Sequence, residues 1–215
     1  MYIESMVKYR KRKSDNEFLG NSSQQGGNME QRKKILDATL RVFNRKGLKF
    51  TMDDIAAELS MSKKTIYTVF HNKETLFFQM VDYCFDSIKE GEQAILTDTS
   101  LKTVDKIRKI LGVLPEGYKD IDFRNLYQLK DKYPKIYHKV EERLETGWEN
   151  TIALFQQAME EGEIRPVNII VIKTMLEATI EQFFQRDVLI TNGISYGDAL
   201  QETVDIIVDG IVNKE

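Results

Sequence analysis

TMDDIAAELSMSKKTIYTVFHNK, residues 51–73, reads as two short helices joined by a tight turn. Thr51 is a start signal: its hydroxyl can accept an orphan amide, and Asp54, three residues on, can reach back as a carboxylate version of the capping box. Ile55, Ala56 and Leu59 then share one face. Ser60-Met61-Ser62 interrupts that period, and Ser62 is a good cap for a second helix. In it Ile66 and Phe70, four apart, make an inward stripe, whereas Lys63, Lys64, Thr65, Tyr67 and Thr68 put ammonium, hydroxyl and phenol groups at its N-terminal end and outer face. Cations and donors leading a helix suit a phosphate-lined groove. His71-Asn72-Lys73-Glu74 reads as one more cap and helix start, with Lys73 beside a flanking phosphate.

The order and spacing of these residues resemble the DNA-binding module of the TetR family of bacterial transcription regulators. The resemblance is carried by Phe43, Lys46-Gly47, Thr51, Ile55-Ala56, the run Ser62-Lys63-Lys64-Thr65-Ile66-Tyr67, then Phe70 and Lys73-Glu74-x-Leu76. Ser60, Lys64 and Val69 depart from it, standing where that family often has Gly, a small residue, and an aromatic or His. The resemblance implies an all-α chain with an N-terminal three-helix helix-turn-helix domain, then a larger helical effector-binding and dimerisation domain of roughly six helices.

Composition agrees. Over 215 residues, 41% are hydrophobic and 30% charged, which suits one small DNA module and one larger domain with its own core. The net charge of -3 looks wrong for a nucleic-acid binder until it is divided. Residues 29–75 carry ten Lys/Arg against six Asp/Glu, residues 1–28 five against three, and the remainder sixteen against twenty-five, so positive charge gathers where the DNA surface is expected. The longest apolar run, 167–172, is far too short to span a bilayer, no secretory signal pattern opens the chain, and Cys84 alone allows no internal disulfide. A cytoplasmic protein is expected.

Along the chain, residues 1–28 are polar and without apolar period, and are expected to be a flexible tail. The basic run Lys8-Tyr9-Arg10-Lys11-Arg12-Lys13 reads either as an arm adding DNA contacts or as a solvated tail. A first helix over 31–46 buries Ile35, Leu36, Thr39, Leu40, Val42 and Phe43 and stops at Gly47. A helix from Lys73 carries Leu76, Phe77, Met80, Val81, Cys84, Phe85 and Ile88, placing Cys84 as a small buried hydrophobe rather than a redox thiol. By the resemblance, residues 29–75 are expected to be the DNA-binding domain and 76–215 the effector-binding and dimerisation domain. Within the latter, helices are expected around Val104–Leu114 and Phe123–Leu129, over 134–161 as one long helix, and over 167–190 and 195–213. The last two are the most apolar; in the family resembled, the corresponding helices pair across a two-fold axis.

For DNA the candidates are Thr51 and Lys73 on phosphates, Lys63, Lys64 and Thr65 at base edges, and Tyr67 through its phenol, although Tyr67 also suits a core edge. His71 suits a cap as well as a contact. Phe123, Tyr127, Trp148, Phe155, Met159 and Met175 are candidate pocket walls for a small hydrophobic or amphipathic effector, while such stripes are also ordinary core. Two His and one Cys far apart cannot build a closed zinc site, and neither a phosphate loop nor a nucleophile elbow is present. No cofactor, metal or catalysis is expected. The reading is a homodimeric regulator, most simply a repressor on a pseudo-palindromic double-stranded operator, set against a helical interaction module with a vestigial motif and, further off, a helical enzyme.

Overall fold

The structure is a computed structural model that describes residues 22–115, 118 and 128–213, with backbone alone for 22–26. The basic run at 8–13 and the candidates Phe123 and Tyr127 lie outside the described residues. Of the described residues, those up to Lys34 belong to one unit and those from Ile35 to a second. Helix α1, Ser22–Lys46, begins well before the expected start at 31. Extending a helix costs far less than nucleating one, so a polar stretch without an apolar stripe can still be carried on its end. In the first unit Lys34 pairs with Glu30 at 2.7 Å.

In the second unit α1 ends at Gly47, whose φ of 56° is the left-handed conformation expected there. A 3-10 turn, Gly47–Lys49, leads to α2, Met52–Glu58, then α3, Lys63–Val69, and α4, Lys73–Thr97. The three starts are capped as read: Thr51 and Asp54 make the reciprocal box, Ser62 Oγ accepts from Thr65 N at 3.1 Å, and Asn72 Oδ1 accepts from Thr75 N at 2.7 Å. One core unites these helices. Phe43, Phe50 and Phe77 are fully buried, with ring centroids 4.9 Å apart for Phe43 and Phe77 and 5.6 Å for Phe50 and Phe77. Ile55, Ile66, Phe70 and Leu76 complete it, and it continues without a break to Leu129, Ile136 and Val140. Tyr83 adds a polar tie, its hydroxyl donating to Asp37 of α1 at 2.7 Å. Burial pushes the Cys84 thiol up to about 12, as fits a small hydrophobe.

The remaining described helices are α5 Thr103–Leu111, α6 Leu129–Lys132, α7 Pro134–Glu145, α8 Glu149–Glu160, α9 Ile169–Gln185, α10 Val188–Thr191 and α11 Tyr196–Asp209. The expected single helix over 134–161 is two. Thr146 turns extended and bonds back to Glu142 O, and Gly147 takes φ 80°, so the apolar period on either side belongs to different helices. The helix over 167–190 likewise breaks at Arg186, which is extended, leaving α10 as a separate turn. Helix α5 stops at Leu111 and Gly112, short of Leu114 and Pro115.

A second core joins α5, α8, α9 and α11 through Ile107, Leu154, Phe155, Ile172, Leu176, Val204 and Val208. Arg108 of α5 pairs with Asp205 and Asp209 of α11, and Glu163 Oε2 accepts from Val104 N at 2.7 Å, supplying from afar the cap that Lys102 lacks. Among the described residues, no helix is long and apolar enough to cross a membrane.

Candidate nucleic-acid interface

The recognition-helix candidates stand on α3, and the turn before it sets their direction. Helix α2 closes with Met61 N bonded to Ala56 O at 2.9 Å and Ser60 N to Ala57 O at 3.1 Å, which is the Schellman pattern. Ser60 therefore occupies the left-handed position with φ 52°. A side chain there costs about 1–2 kcal/mol and glycine's extra chain entropy returns about half of that. Ser60→Gly is accordingly expected to stabilise the protein by about 0.5–1 kcal/mol, read as a higher urea midpoint at unchanged slope.

Ile66, fully buried, anchors one face of α3, and Phe70 behind it is 1% exposed. The opposite face carries Lys63, Lys64, Tyr67 and Thr68, all exposed, with Thr65 half-buried. Lys64 has no ion-pair partner among the described residues. Tyr67 is 39% exposed, so the module covers only part of its side chain. Thr68 Oγ1 donates to Thr65 O at 2.7 Å, and the hydroxyls of Thr65 and Ser62 share a bond at 2.8 Å.

Besides Thr65, three of the predicted contacts are already engaged. Lys63 Nζ reaches Asp53 at 2.7 Å, and that bond raises its pKa. Both groups are exposed, so water screens the pair and a phosphate competes with it readily. Thr51 Oγ1, whose proton a phosphate would need, donates to Asp54 at 2.9 Å and accepts from Asp54 N at 3.2 Å. Lys73 turns inward: its ammonium donates to Leu48 O at 2.8 Å and Phe50 O at 2.5 Å and lies 4.1 Å from the Phe50 ring centroid. Burial lowers its pKa accordingly. Lys73 therefore secures the turn between α1 and α2 to the start of α4. His71 is exposed, and the neighbouring Asn72 does the capping.

Sequence reasoning did not find the acids that brace the module. Glu58 holds Arg45 at 2.5 Å and Arg41 at 2.9 Å, tying α2 to α1, and both guanidiniums pull its pKa down. The signal is a surface carboxylate at the end of a helix, which no motif distinguishes from a solvated one. Asp54, which closes the capping box with Thr51, also takes Lys46 at 2.6 Å, and Lys46 with Thr51 holds its pKa down to about 2 from 3.8. A depressed pKa contributes stability in full above about pH 4 and loses it as pH falls through about 2. Urea midpoints taken across that window are expected to fall less for Asp54→Asn than for the natural chain, with the variant already weaker at neutral pH.

Of the effector candidates, Trp148 lines a cavity of about 130 Å³ between α4, α5, α9 and α11. A second cavity of about 80 Å³ shares Phe85, Ile88, Leu114, Leu144 and Tyr196 with it and reaches Leu40 and Phe43 on α1. Phe155, 1% exposed, is packed in the second core, and Met159 is half-buried there, its Sδ accepting from Val167 N at 3.4 Å. Met175 is not a pocket wall: it is 53% exposed, on the outer face of α9. Its three- and four-residue steps to the apolar residues around it place it on a stripe wider than the one α9 buries.

A family model described as bacterial regulatory proteins, tetR family, matches residues 35–80. An uncharacterised HTH-type transcriptional regulator of Bacillus subtilis, YvaF, is 27% identical over 85% of this chain and 96% of its own length. A second, YhgD, from the same organism, is 30% identical over 48% of this chain and 51% of its own length. Among solved structures, a TetR-family regulator from Cytophaga hutchinsonii superposes with TM-score 0.66 at 20% identity, covering 93% of this chain and all of that one. One from Chloroflexus aurantiacus gives 0.65 at 20% identity, covering 87% and 99%.

Proposed function

We propose, on the premise that this chain is a DNA-binding transcription regulator of the TetR family, that it is a homodimeric repressor of a pseudo-palindromic operator, released by a small molecule held in its C-terminal helices. The division into a DNA module over 29–75 and an effector and dimer domain from 76 onward is part of this reading. The observation that carries it is the outward face of α3: Lys63, Lys64 and Tyr67 stand exposed on a helix whose other face is locked by Ile66 and Phe70. Lys63, Lys64 and Thr65 reach base edges, Tyr67 reaches a phosphate, and Thr51 and Lys73 act by holding the module's shape.

One short helix offers few contacts, so the reading requires two copies. Support comes from the outer faces of α9 and α11, where Ile170 is 74% exposed, Val171 and Met175 53%, and Ile206 66%. Ile170, Val171 and Met175 fall within two turns of α9, and apolar side chains exposed together in this way mark an interface. Ile170→Asp with Met175→Asp is expected to convert a dimer to a monomer in light scattering and to abolish operator binding. A natural chain that is itself monomeric at high concentration contradicts the reading.

For release, the effector must prefer the DNA-free conformation. Reversing a 99:1 preference takes about 5.5 kcal/mol of differential affinity. The adjoining cavities are suited to this, since their walls include α1 and α4 on one side and α7, α8, α9 and α11 on the other. The test of the whole reading is selection of bound fragments from genomic DNA, then titration with small molecules for those that release them.

A further inference from the structure

The 130 Å³ cavity has one unusual wall. Its lining is largely apolar, with Ile88, Leu111, Leu144, Trp148, Leu176 and Leu200, yet it includes Glu92, the one charged side chain in the buried class among the described residues. A carboxylate taken from water needs a cation. Here Lys89 supplies it: its ammonium donates to both Glu92 oxygens at 2.8 Å and to Gly147 O at 2.8 Å. An ammonium has three donors, and all three are used, whereas each carboxylate oxygen keeps acceptor capacity. The other cation of the wall, Arg143, is held by Asp86 at 2.6 Å and lies 5.4 Å from the Phe85 ring centroid. Beside Glu92 the cavity therefore has acceptors to offer, and the ammonium next to them has no donor left for an anion.

The two partners also differ in mobility. The Lys89 side chain is 40% exposed and can swing into water; that of Glu92, at 11%, cannot. Lys89 is thus an exchangeable counter-ion. We propose that this cavity binds a small amphipathic cation, a protonated amine on a short apolar body, with Glu92 as its counter-ion in place of Lys89. An apolar cavity of about 150 Å³ holds one benzene ring, so the body is of roughly six carbons. This rests on the effector-release reading above and gives it a chemistry. When the ligand displaces Lys89, Gly147 O loses its donor and the corner between α7 and α8 loses its tie to α4, the helix that Asn72 caps just after α3.

The probe is hexylammonium, with 1-hexanol and hexanoate as shape-matched controls, and the readout is the fluorescence of Trp148, the single tryptophan of the chain. Hexylammonium is expected to bind at least about tenfold more tightly than hexanol, and hexanoate most weakly. Glu92→Gln removes that preference and leaves hexanol binding unchanged, which shows the cavity still formed. Lys89→Met, which leaves Glu92 without its resident partner, binds hexylammonium more tightly than the natural chain, a gain that misfolding cannot produce. Hexanol or hexanoate binding as well as the amine, no binding of any probe, or Lys89→Met leaving amine affinity unchanged overturns the proposal. If hexylammonium binds as stated but a selected operator fragment stays bound, the site stands and the release reading falls.

Discussion

Lys64→Ala is expected to weaken binding to a selected operator fragment by roughly 30- to 20,000-fold, with the fold intact. Lys64 is exposed in the first turn of α3 and has no acid to lose among the described residues, so its removal costs the protein little. A good base contact is worth about 1–3 kcal/mol. A two-fold dimer makes it twice, giving about 2–6 kcal/mol, and each 1.4 kcal/mol is about tenfold in affinity. Lys63 differs, because its alanine variant also leaves Asp53 facing the DNA without its partner. Asp53→Asn is the matching change in the other direction, freeing Lys63 and removing a repulsive charge. Fluorescence anisotropy at fixed salt measures all three, and a loss below threefold for Lys64→Ala removes it from the interface.

Phe77→Ala is expected to cost about 3–5 kcal/mol of stability, since Phe77 is fully buried and leaves a ring-sized void. The void is unusually hard to collapse. Phe77 sits among Phe43 of α1, Phe50 of the turn before α2, and Tyr133 before α7, so no single element can move in to fill it. The loss reads as a lower urea midpoint, and native-state hydrogen exchange should show α2 and α3 opening first, because both pack against that ring cluster and are too short to persist alone. A cost under about 1 kcal/mol would mean that the cluster does not hold the module together.

The N-terminal module was legible because its information is local. Thr51, Ser62 and Asn72 cap through hydrogen bonds to residues three ahead, so spacing alone defines them. Ile66 and Phe70 declare their face by a four-residue step. Helix ends in the larger domain were harder to read, since apolar periodicity runs through a corner when both flanking helices bury residues. The breaks at Thr146-Gly147 and Arg186 are hidden for this reason, though a Thr-Gly pair inside a helical pattern is a local sign of the first. Met175 shows the same limit: periodicity identifies an apolar stripe but cannot say whether this chain or another covers it. Lys73 and Glu92 were illegible in a different way. The partners of Lys73, Leu48 O and Phe50 O, lie 25 and 23 positions back, and although Lys89 stands a legible three residues before Glu92, the Gly147 corner that holds Lys89 comes from 58 positions further on.

The central claim is that the exposed face of α3 lies in the major groove of DNA, once from each of two copies. Hydroxyl-radical footprinting on a genomic fragment selected by the protein tests it most directly. The expected pattern is two protected half-sites related by two-fold symmetry, about 10 base pairs apart centre to centre or a multiple of that, both vanishing together with Lys64→Ala. A single continuous protection without symmetry, or a pattern that Lys64→Ala leaves in place, would contradict it.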